Sequence, residues 1–232
     1  KAQREVLLEH LKKYFDITSL LYCINSKAND TLYDQEIICY DGKTFIMEEM
    51  EGLNFKINAK SFFQTNTEQA YELYKITRDF AGLEGKELVY DLYTGTGTIA
   101  QFIAKDCNRV VGVESVPEAI EAANTNAKEN GIKNAFFEVG DMRRVFNQDF
   151  INRHGKANVV IADPPRNGMH PAVVKQLLFL QPEKIVYVSC NPSTQARDLF
   201  LMKDHYKLVR SKAIDLFPQT QHVENVVLLE KI

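Results

Sequence analysis

A cysteine stands where a strand pattern meets a helix signal in the segment VYVSCNPSTQARDL, Val186 to Leu199. The β-forming run predicts a buried strand, and the Asn-Pro pair after Cys190 is typical of a helix start. Free cysteine is among the most buried residue types, so a thiol packed in the core is the ordinary interpretation. A thiol at a strand end could also act as a nucleophile, and the rest of the chain must decide between the two.

A candidate base lies near the C-terminus, where Glu224 follows HV and precedes the apolar run of a predicted strand. Taken alone, Glu224 is an exposed strand glutamate. A reaction that joins a nucleophile to a substrate and later removes a proton requires a separate base, and Glu224 is suited to that role. His222 is a competing base on the same hairpin, although a structural hydrogen-bonding role explains it better.

A glycine-bearing loop, DLYTGTGTIA, joins another predicted strand to a helix. Gly95 and Gly97 allow a tight turn and the close approach of a ligand. The third position of the dinucleotide fingerprint holds Ala100, which is tolerated there. A plain strand-to-helix turn could carry the same glycines, so the loop needs support from other residues.

That support comes from carboxylates at the ends of later predicted strands. Glu114, about 20 residues beyond the loop, can accept hydrogen bonds from both ribose hydroxyls of a nucleoside. Asp141 in VGDM can reach an adenine amino group, and Asp163 in IADPPR adds negative charge to the crevice, although a turn residue before Pro-Pro is its ordinary interpretation. An acidic crevice suits the sulfonium of S-adenosylmethionine better than the pyrophosphate of NAD.

The DPP motif leaves an alternative open. Amino-methyltransferases that act on adenine or glutamine carry a related motif followed by an aromatic residue. Here Arg166 follows, so the ring that would stack on the target base is missing. The amino-methyltransferase is therefore the weaker alternative.

A strand–helix alternation from about residue 85 onward must position these residues. It predicts an α/β fold, a doubly wound Rossmann-like domain with a mostly parallel sheet and helices on both faces. The final strands, YKLVRSKAIDLF and HVENVVLLEKI, predict an antiparallel edge hairpin, and MRRVFNQDFINRHG predicts one helix. Ligands of such sheets bind beyond the carboxyl ends of the strands.

The first part of the chain has a different pattern. EVLLEHLKKYF predicts an amphipathic helix, and SLLYCINSK, QEIICYDGKTFIMEEM and LNFKINAK predict three strands. We therefore predict part of a small α+β domain over residues 1–60 and a catalytic domain over residues 61–232. Phe62 and Phe63, at the junction, could stack on a nucleic-acid base or pack in a core.

Composition sets further bounds. The 232 residues are 45% hydrophobic and 25% charged, as in globular proteins, and no apolar run predicts a membrane span. The net charge of −3 weakens an RNA-binding interpretation without excluding it. The four cysteines, Cys23, Cys39, Cys107 and Cys190, lack zinc-like spacing, so we expect no metal site and a cytoplasmic protein with free thiols.

Taken together, SFFQTN, DLYTGTGT, GVES, DPPRNG, VYVSCNPSTQARD and FPQTQHVENVVLL resemble the RNA uracil-carbon-5 methyltransferases that form 5-methyluridine, the RumA and TrmA types. These segments run from about residue 60 to the C-terminus in the family's order. VYVSCNP and the FPQTQHVE tail are more similar to the RumA type, which acts on 23S ribosomal RNA, than to the type that acts on tRNA.

The resemblance implies an S-adenosyl-L-methionine-dependent enzyme in which Cys190 is the nucleophile and Glu224 the base. By motif match the cofactor-binding residues are Gln64, Tyr93, Thr98, Glu114, Asp141 and Asp163. The family often has asparagine where this chain has Thr98, which keeps an acceptor but lacks the amide donor. The dipole of the helix that starts at Asn191-Pro192, together with Arg166, is expected to lower the pKa of the Cys190 thiol.

Family members usually carry an N-terminal RNA-binding β-barrel, and many RumA types an iron–sulfur cluster held by upstream cysteines. Neither is present in these residues, and the chain begins with Lys1, so we expect a fragment of a longer protein. The expected partner is RNA, ribosomal RNA in preference to tRNA, with no membrane and no evident protein partner. A cofactor-binding RNA chaperone without chemistry is the non-enzymatic alternative.

Overall fold

The computed structural model describes residues 2–29, 32 and 34–232. The chain divides into two compact units, Lys1–Phe63 and Gln64–Ile232. The sequence placed this boundary after residue 60, and the observed division lies a few residues later. Within the described ranges, no helix has the length and apolar character needed to cross a membrane.

The described residues of the N-terminal unit form one helix and two separate strand pairs. Its elements are α1 (Ala2–Tyr14), β1 (Ser19–Tyr22), β2 (Ile38–Gly42), β3 (Phe45–Met50) and β4 (Leu53–Asn58). The strand predicted over QEIICYDGKTFIMEEM is in fact two strands, because β2 pairs with β1 while β3 pairs with β4. Leu8, Leu20 and Phe55 are buried in this unit.

A seven-stranded sheet forms the centre of the C-terminal unit. Its strands are β5 (Leu88–Leu92), β6 (Arg109–Glu114), β7 (Ala135–Val139), β8 (Val159–Ala162), β9 (Lys184–Ser189), β10 (Tyr206–Ile214) and β11 (Glu224–Lys231). Their order across the sheet is β10-β11-β9-β8-β5-β6-β7. All neighbouring pairs from β9 to β7 are parallel, and β11 runs antiparallel to both β9 and β10. The predicted α/β sheet with an antiparallel edge hairpin is confirmed.

Seven α-helices and one short 3₁₀ helix (Ala104–Asp106) accompany this sheet in the C-terminal unit. The α-helices are α2 (Thr67–Ala81), α3 (Thr98–Ile103), α4 (Pro117–Glu129), α5 (Met142–Val145), α6 (Gln148–His154), α7 (Pro171–Leu180) and α8 (Pro192–Met202). Proline occupies the first turn of α4, α7 and α8, where its missing N–H leaves no bond unmade. The prediction of a single helix over MRRVFNQDFINRHG is wrong, because the segment forms two helices. Asn147 caps a new helix there, since its side chain accepts a hydrogen bond from the Phe150 N–H, so α5 and α6 are separate.

The core lies along the central strands. Every residue of β8 is buried, and so is nearly all of β5 and β9, as expected when helices cover both faces of a parallel sheet. Parallel register aligns the ends of these strands, because Leu92 of β5 lies beside Val113 of β6 and Ala162 of β8. The residues that follow the strands therefore meet along one edge.

A buried carboxylate on α8 links this helix to β9 and to the loop after β8. Asp198 of α8 is fully buried, and its Oδ2 accepts hydrogen bonds from the Tyr187 hydroxyl and the Met169 N–H, both at 2.8 Å. Arg197 donates to the other oxygen, Oδ1, at 2.7 Å. The ARD part of the sequence motif therefore anchors the loop after β8 to β9 and α8.

We predict that Asp198→Ala lowers the free energy of unfolding by about 2–4 kcal/mol, because it leaves a buried hydroxyl and a buried N–H without an acceptor. Urea unfolding followed by circular dichroism measures this. The control is Asp204→Ala, at an exposed position just beyond α8, which should change stability by about 0.5 kcal/mol or less. Equal effects in the two variants would show that Asp198 is not an anchor.

Candidate active site

The register of β11 against β9 brings the two candidate catalytic residues together. Asn225 pairs with Ser189 and Val226 with Val188 in an antiparallel ladder. Cys190 directly follows Ser189, and Glu224 directly precedes Asn225, so the two residues lie next to the last pair of this ladder. The charge of Glu224 acts on the Cys190 thiol, which places the carboxylate near it. A thiol and a carboxylate thus lie close together at two adjacent strand ends.

Burial sets the ionisation of this pair. Glu224 is only 5% exposed, and burial raises its pKa to about 6. The half-buried Cys190 thiol has a raised pKa, first because of burial and then because of the nearby negative charges of Glu224 and Asp163. The expectation of a lowered thiol pKa is wrong. Arg166 does act to lower it, but burial and two carboxylates outweigh that single exposed cation.

Two further acidic groups share this edge of the sheet. The pKa of Asp163 is raised well above its usual value by burial and by the charges of Glu224 and Asp91. Burial also raises the pKa of Asp91 to about 7. The buried Tyr74 phenol of α2 adjoins the same three carboxylates, which together with burial raise its pKa. These shifts reflect the cost of ionising three neighbouring acids where burial and mutual repulsion oppose it, and a bound cation would offset that cost.

The residues after Cys190 fasten the thiol's strand end to the loop that follows β8. Asn191 caps α8 by accepting from the Ser193 N–H at 3.1 Å. The Asn191 side chain also donates to the Arg166 carbonyl at 3.1 Å, and the Thr194 hydroxyl donates to the same carbonyl at 3.2 Å. The NPST part of the motif therefore holds the DPPR loop beside the cysteine.

The glycine-bearing loop begins with a strained residue, since Tyr93 has φ +61°. Gly97 follows at φ +74°, and a Cβ at Gly97 would lie 2.6 Å from the Phe137 ring, so no side chain fits there. Gly95, at φ +56°, has no atom within 4 Å of an added Cβ. One glycine thus allows close packing, and the other leaves an open surface on the loop.

Glu114 ties this loop to the next helix. Its Oε2 accepts from the Gly95 N–H at 3.3 Å, while Oε1 accepts from the backbone N–H groups of Ser115 at 2.6 Å and Val116 at 3.1 Å. The carboxylate is therefore held at the open face of the loop. An oxygen with one long bond can still accept from a ligand hydroxyl.

The other predicted cofactor residues have different surroundings. Asp141 caps α5, and Arg143 holds its carboxylate by several hydrogen bonds, so its pKa is lowered to about 2. Thr98 is buried, with its hydroxyl 3.2 Å from that of Thr96. Gln64 is 8% exposed at the start of this unit. Of these, Asp141 has a competing partner that the sequence did not indicate.

The candidate base-stacking rings end the N-terminal unit. Phe62 is 69% exposed, whereas Phe63 lies against Phe55 with ring centroids 6.1 Å apart. Packing therefore explains Phe63. His222 is half-buried before β11, and its backbone N–H donates to the Thr220 hydroxyl at 3.2 Å.

A protein-family comparison matches residues 42–232 to the family described as tRNA (Uracil-5-)-methyltransferase. The chain belongs to this family. An uncharacterized RNA methyltransferase of Porphyromonas gingivalis is 61% identical over 98% of this chain, and one of Bacteroides thetaiotaomicron is 59% identical over 97%. The chain spans about half the length of these curated relatives.

Among solved structures, this uracil-5-methyltransferase family chain is similar to the tRNA (uracil-54, C5)-methyltransferase of Pyrococcus abyssi, determined in complex with S-adenosyl-L-homocysteine. The TM-score is 0.79 at 38% identity, over 94% of this chain and 52% of that one. The Trm5b structure from the same organism shares the fold alone, with a TM-score of 0.66 at 17% identity over 92% of this chain and 63% of that one.

Two residues at the candidate site, Asp91 and Tyr74, were not predicted from the sequence. Asp91 is the one charged residue in the apolar run of β5, and such a buried carboxylate before a glycine loop was a usable signal. In the structure Asp91 Oδ2 accepts hydrogen bonds from the Thr94 hydroxyl and from the Ala100 N–H, so it shapes the loop. Tyr74 gave no signal, because an amphipathic helix presents many aromatic residues to a core.

We predict that Asp91→Asn removes a pH dependence of stability. Below about pH 4 Asp91 is protonated in both states. From there up to its folded pKa of about 7 only the unfolded state ionises, so the wild-type protein loses stability as pH rises. Asparagine cannot ionise and keeps an acceptor oxygen. The stability of the variant relative to wild type should therefore rise by about 1.4 kcal/mol per pH unit across this window.

Urea unfolding at pH 4.5 and 7.5 tests this. Asp141→Asn is the matched control, because the pKa of Asp141 is lowered to about 2 and its contribution is already complete above pH 4. Its difference from wild type should be the same at both pH values. A constant difference for Asp91→Asn would show that Asp91 is ionised in the folded protein.

Proposed function

We propose that this chain is the catalytic part of an enzyme that transfers a methyl group from S-adenosyl-L-methionine to carbon 5 of a uridine in RNA. The observation that carries the proposal is the placement of Cys190, just after β9, near Glu224, the first residue of β11, in a member of the uracil-5-methyltransferase family. A thiol and a separate buried carboxylate match a reaction that needs one nucleophile and one base.

The residues at the sheet edge fit the cofactor. Gly95 leaves room beside the loop backbone, and Glu114 offers a carboxylate to ribose hydroxyls. Asp163 offers a carboxyl group whose ionised form a nearby sulfonium would favour. The Pyrococcus relative contains S-adenosyl-L-homocysteine, the product form of this cofactor. When bound, S-adenosyl-L-methionine supplies an electrophilic methyl group.

Cys190 makes the uracil ring reactive. Carbon 5 of uracil is a poor nucleophile. As the thiolate of Cys190 forms a bond to carbon 6, the carbon 5–carbon 6 double-bond electrons shift toward the carbonyl and leave an enolate, with carbon 5 electron-rich. Arg166 opposes the effect of burial on the thiol and so favours the thiolate. The strand end fixes the direction of attack.

Glu224 completes the reaction. After methylation carbon 5 carries both a proton and the new methyl group, and the thiol cannot leave until that proton is removed. With a pKa of about 6, Glu224 is mostly ionised at pH 7 and can accept it. The carbon 5–hydrogen electrons then restore the ring double bond, and the carbon 6–sulfur electrons leave on Cys190.

The RNA class is the finer part of the proposal. VYVSCNP and the FPQTQHVE tail favour ribosomal RNA, whereas the Pyrococcus relative is a tRNA enzyme. Either substrate must present its uridine outside the base stack. Methylation of ribosomal RNA but not tRNA transcripts would support the first substrate, and the reverse preference would support the second.

For cofactor binding we predict that Glu114→Ala weakens S-adenosyl-L-methionine affinity by about 1–3 kcal/mol, the usual cost of losing a charged hydrogen-bond partner. Titration calorimetry measures it. Glu118→Ala, in the first turn of α4, is the control and should bind as wild type. Unchanged affinity in Glu114→Ala would remove Glu114 from the site.

The two catalytic residues should fail at different steps. Cys190→Ala should give neither adduct nor product. Glu224→Gln should still add the thiol and accept the methyl group, then stall with RNA bound through sulfur to carbon 6. A denaturing gel should show a slow band of protein and RNA in Glu224→Gln alone. Glu230→Gln, on the same strand, should turn over normally.

The assay uses a preparation, extended to the length of the relatives if required, whose wild-type form methylates RNA. Turnover near the wild-type rate in Glu224→Gln would assign proton removal to another group, with His222 tested first. An RNA-bound band in Cys190→Ala would show that the thiol is only a core residue.

A further inference from the structure

A buried glutamine bonds to the two strands whose ends carry Cys190 and Glu224. Gln195 of α8 is 2% exposed, and its amide nitrogen donates to the Tyr187 carbonyl of β9 at 2.9 Å and to the Asn225 carbonyl of β11 at 3.1 Å. Its amide oxygen accepts from the Asn225 side chain at 2.6 Å. A buried amide is costly unless its bonds are made, and here both of its ends are used.

Asn225 extends this network across the hairpin. Its side-chain oxygen accepts from the Ser211 hydroxyl of β10 at 3.2 Å. Asn225 is also the residue that follows Glu224 and pairs with Ser189, which precedes Cys190. These hydrogen bonds, here called the Gln195–Asn225 clasp, join α8 to three strands. The clasp includes Asn225, next to Glu224, and Tyr187, three residues before Cys190.

The clasp lies close to the ends of β9 and β11. Glu224 is the first residue of β11, and Ser189 the last of β9. Terminal residues of strands are the first to open locally. The side-chain bond between Gln195 and Asn225 is one residue inside the start of β11, so it restrains Glu224 at the point where the backbone ladder ends.

We propose that Gln195 and Asn225 are positioning residues that hold Glu224 opposite Cys190. This inference rests on the proposed function for its catalytic meaning. Transfer of the carbon 5 proton to Glu224 requires the carboxylate to be held within reach of that proton, whereas thiol addition does not use Glu224. Loss of the clasp should therefore slow release of the methylated adduct more than its formation.

The geometric claim can be tested without RNA, since the Glu224 charge opposes ionisation of Cys190. The measurement is the pH profile of iodoacetamide alkylation at Cys190, resolved from the other cysteines by peptide mass spectrometry. Glu224→Gln should move the profile to lower pH and speed alkylation at pH 8 by roughly three- to tenfold. Gln195→Ala should act in the same direction, because Glu224 is no longer held at the thiol.

A double variant distinguishes a loss of Glu224 positioning from a general loosening of the structure around Cys190. If Gln195 acts through Glu224, Gln195→Ala/Glu224→Gln should alkylate like Glu224→Gln alone, because the charge is already gone. Asn134→Ala is the matched control. It removes an amide that donates to the Ala104 and Cys107 carbonyls, and it should leave the profile unchanged.

Additive effects in the double variant, or a wild-type profile in Gln195→Ala, would overturn the inference. Neither result bears on the proposed reaction, which is judged by the RNA-bound band of Glu224→Gln. If the RNA-bound band is absent but the double variant alkylates like Glu224→Gln alone, the proposed reaction is rejected while the positioning role of Gln195 and Asn225 is retained.

Discussion

The antiparallel placement of β11 beside β9 is the constraint on which the proposed active site depends. Parallel strands bring to one edge only the residues that follow them, such as Asp163 and Cys190. A strand of opposite direction brings its first residue to that same edge. Glu224 can therefore face Cys190 although a helix and a whole hairpin arm separate them in sequence. A slip of one residue in this register would turn the carboxylate to the other face of the sheet.

The same geometry explains the electrostatics of the crevice. Strands packed between helix layers carry their terminal carboxylates into a poorly hydrated space, which raises the pKa of Asp91, Asp163 and Glu224. The Cys190 thiol shares that space and is harder to ionise for the same reason. In the proposed function, the same burial that makes the thiol harder to ionise gives Glu224 a pKa of about 6, close to neutral pH.

Much of this architecture could be predicted from sequence because it rests on local signals. Strand-length apolar runs, proline at helix starts and the glycine loop identified the α/β sheet and its ligand edge. The motif resemblance indicated Cys190 and Glu224 as a pair. Two short elements, α5 and α6, were merged, because an internal asparagine cap is hard to distinguish from a polar helix residue.

What the sequence could not give depends on contacts between distant segments. The raised pKa of Cys190 follows from burial and from Glu224 across the register, and helix-dipole reasoning from neighbours alone had the wrong sign. The roles of Asp198 and Gln195 appear only when α8 is packed against β9, since both side chains bond to residues of other elements. Arg143, the partner of Asp141, is close in sequence, but the side-chain rotamer that brings its guanidinium onto the carboxylate cannot be predicted from the sequence.

The central claim, that Cys190 and a separate base act on one uracil ring, is tested most directly with RNA that carries 5-fluorouridine. A base cannot remove fluorine from carbon 5, so the methylated adduct cannot resolve. We expect the wild-type protein, in an active preparation with S-adenosyl-L-methionine, to yield a methylated fluorouridine bound to the peptide that contains Cys190, as mapped by mass spectrometry. Release of methylated fluorouridine without any adduct, or an adduct on Cys23, Cys39 or Cys107 instead, would contradict the account.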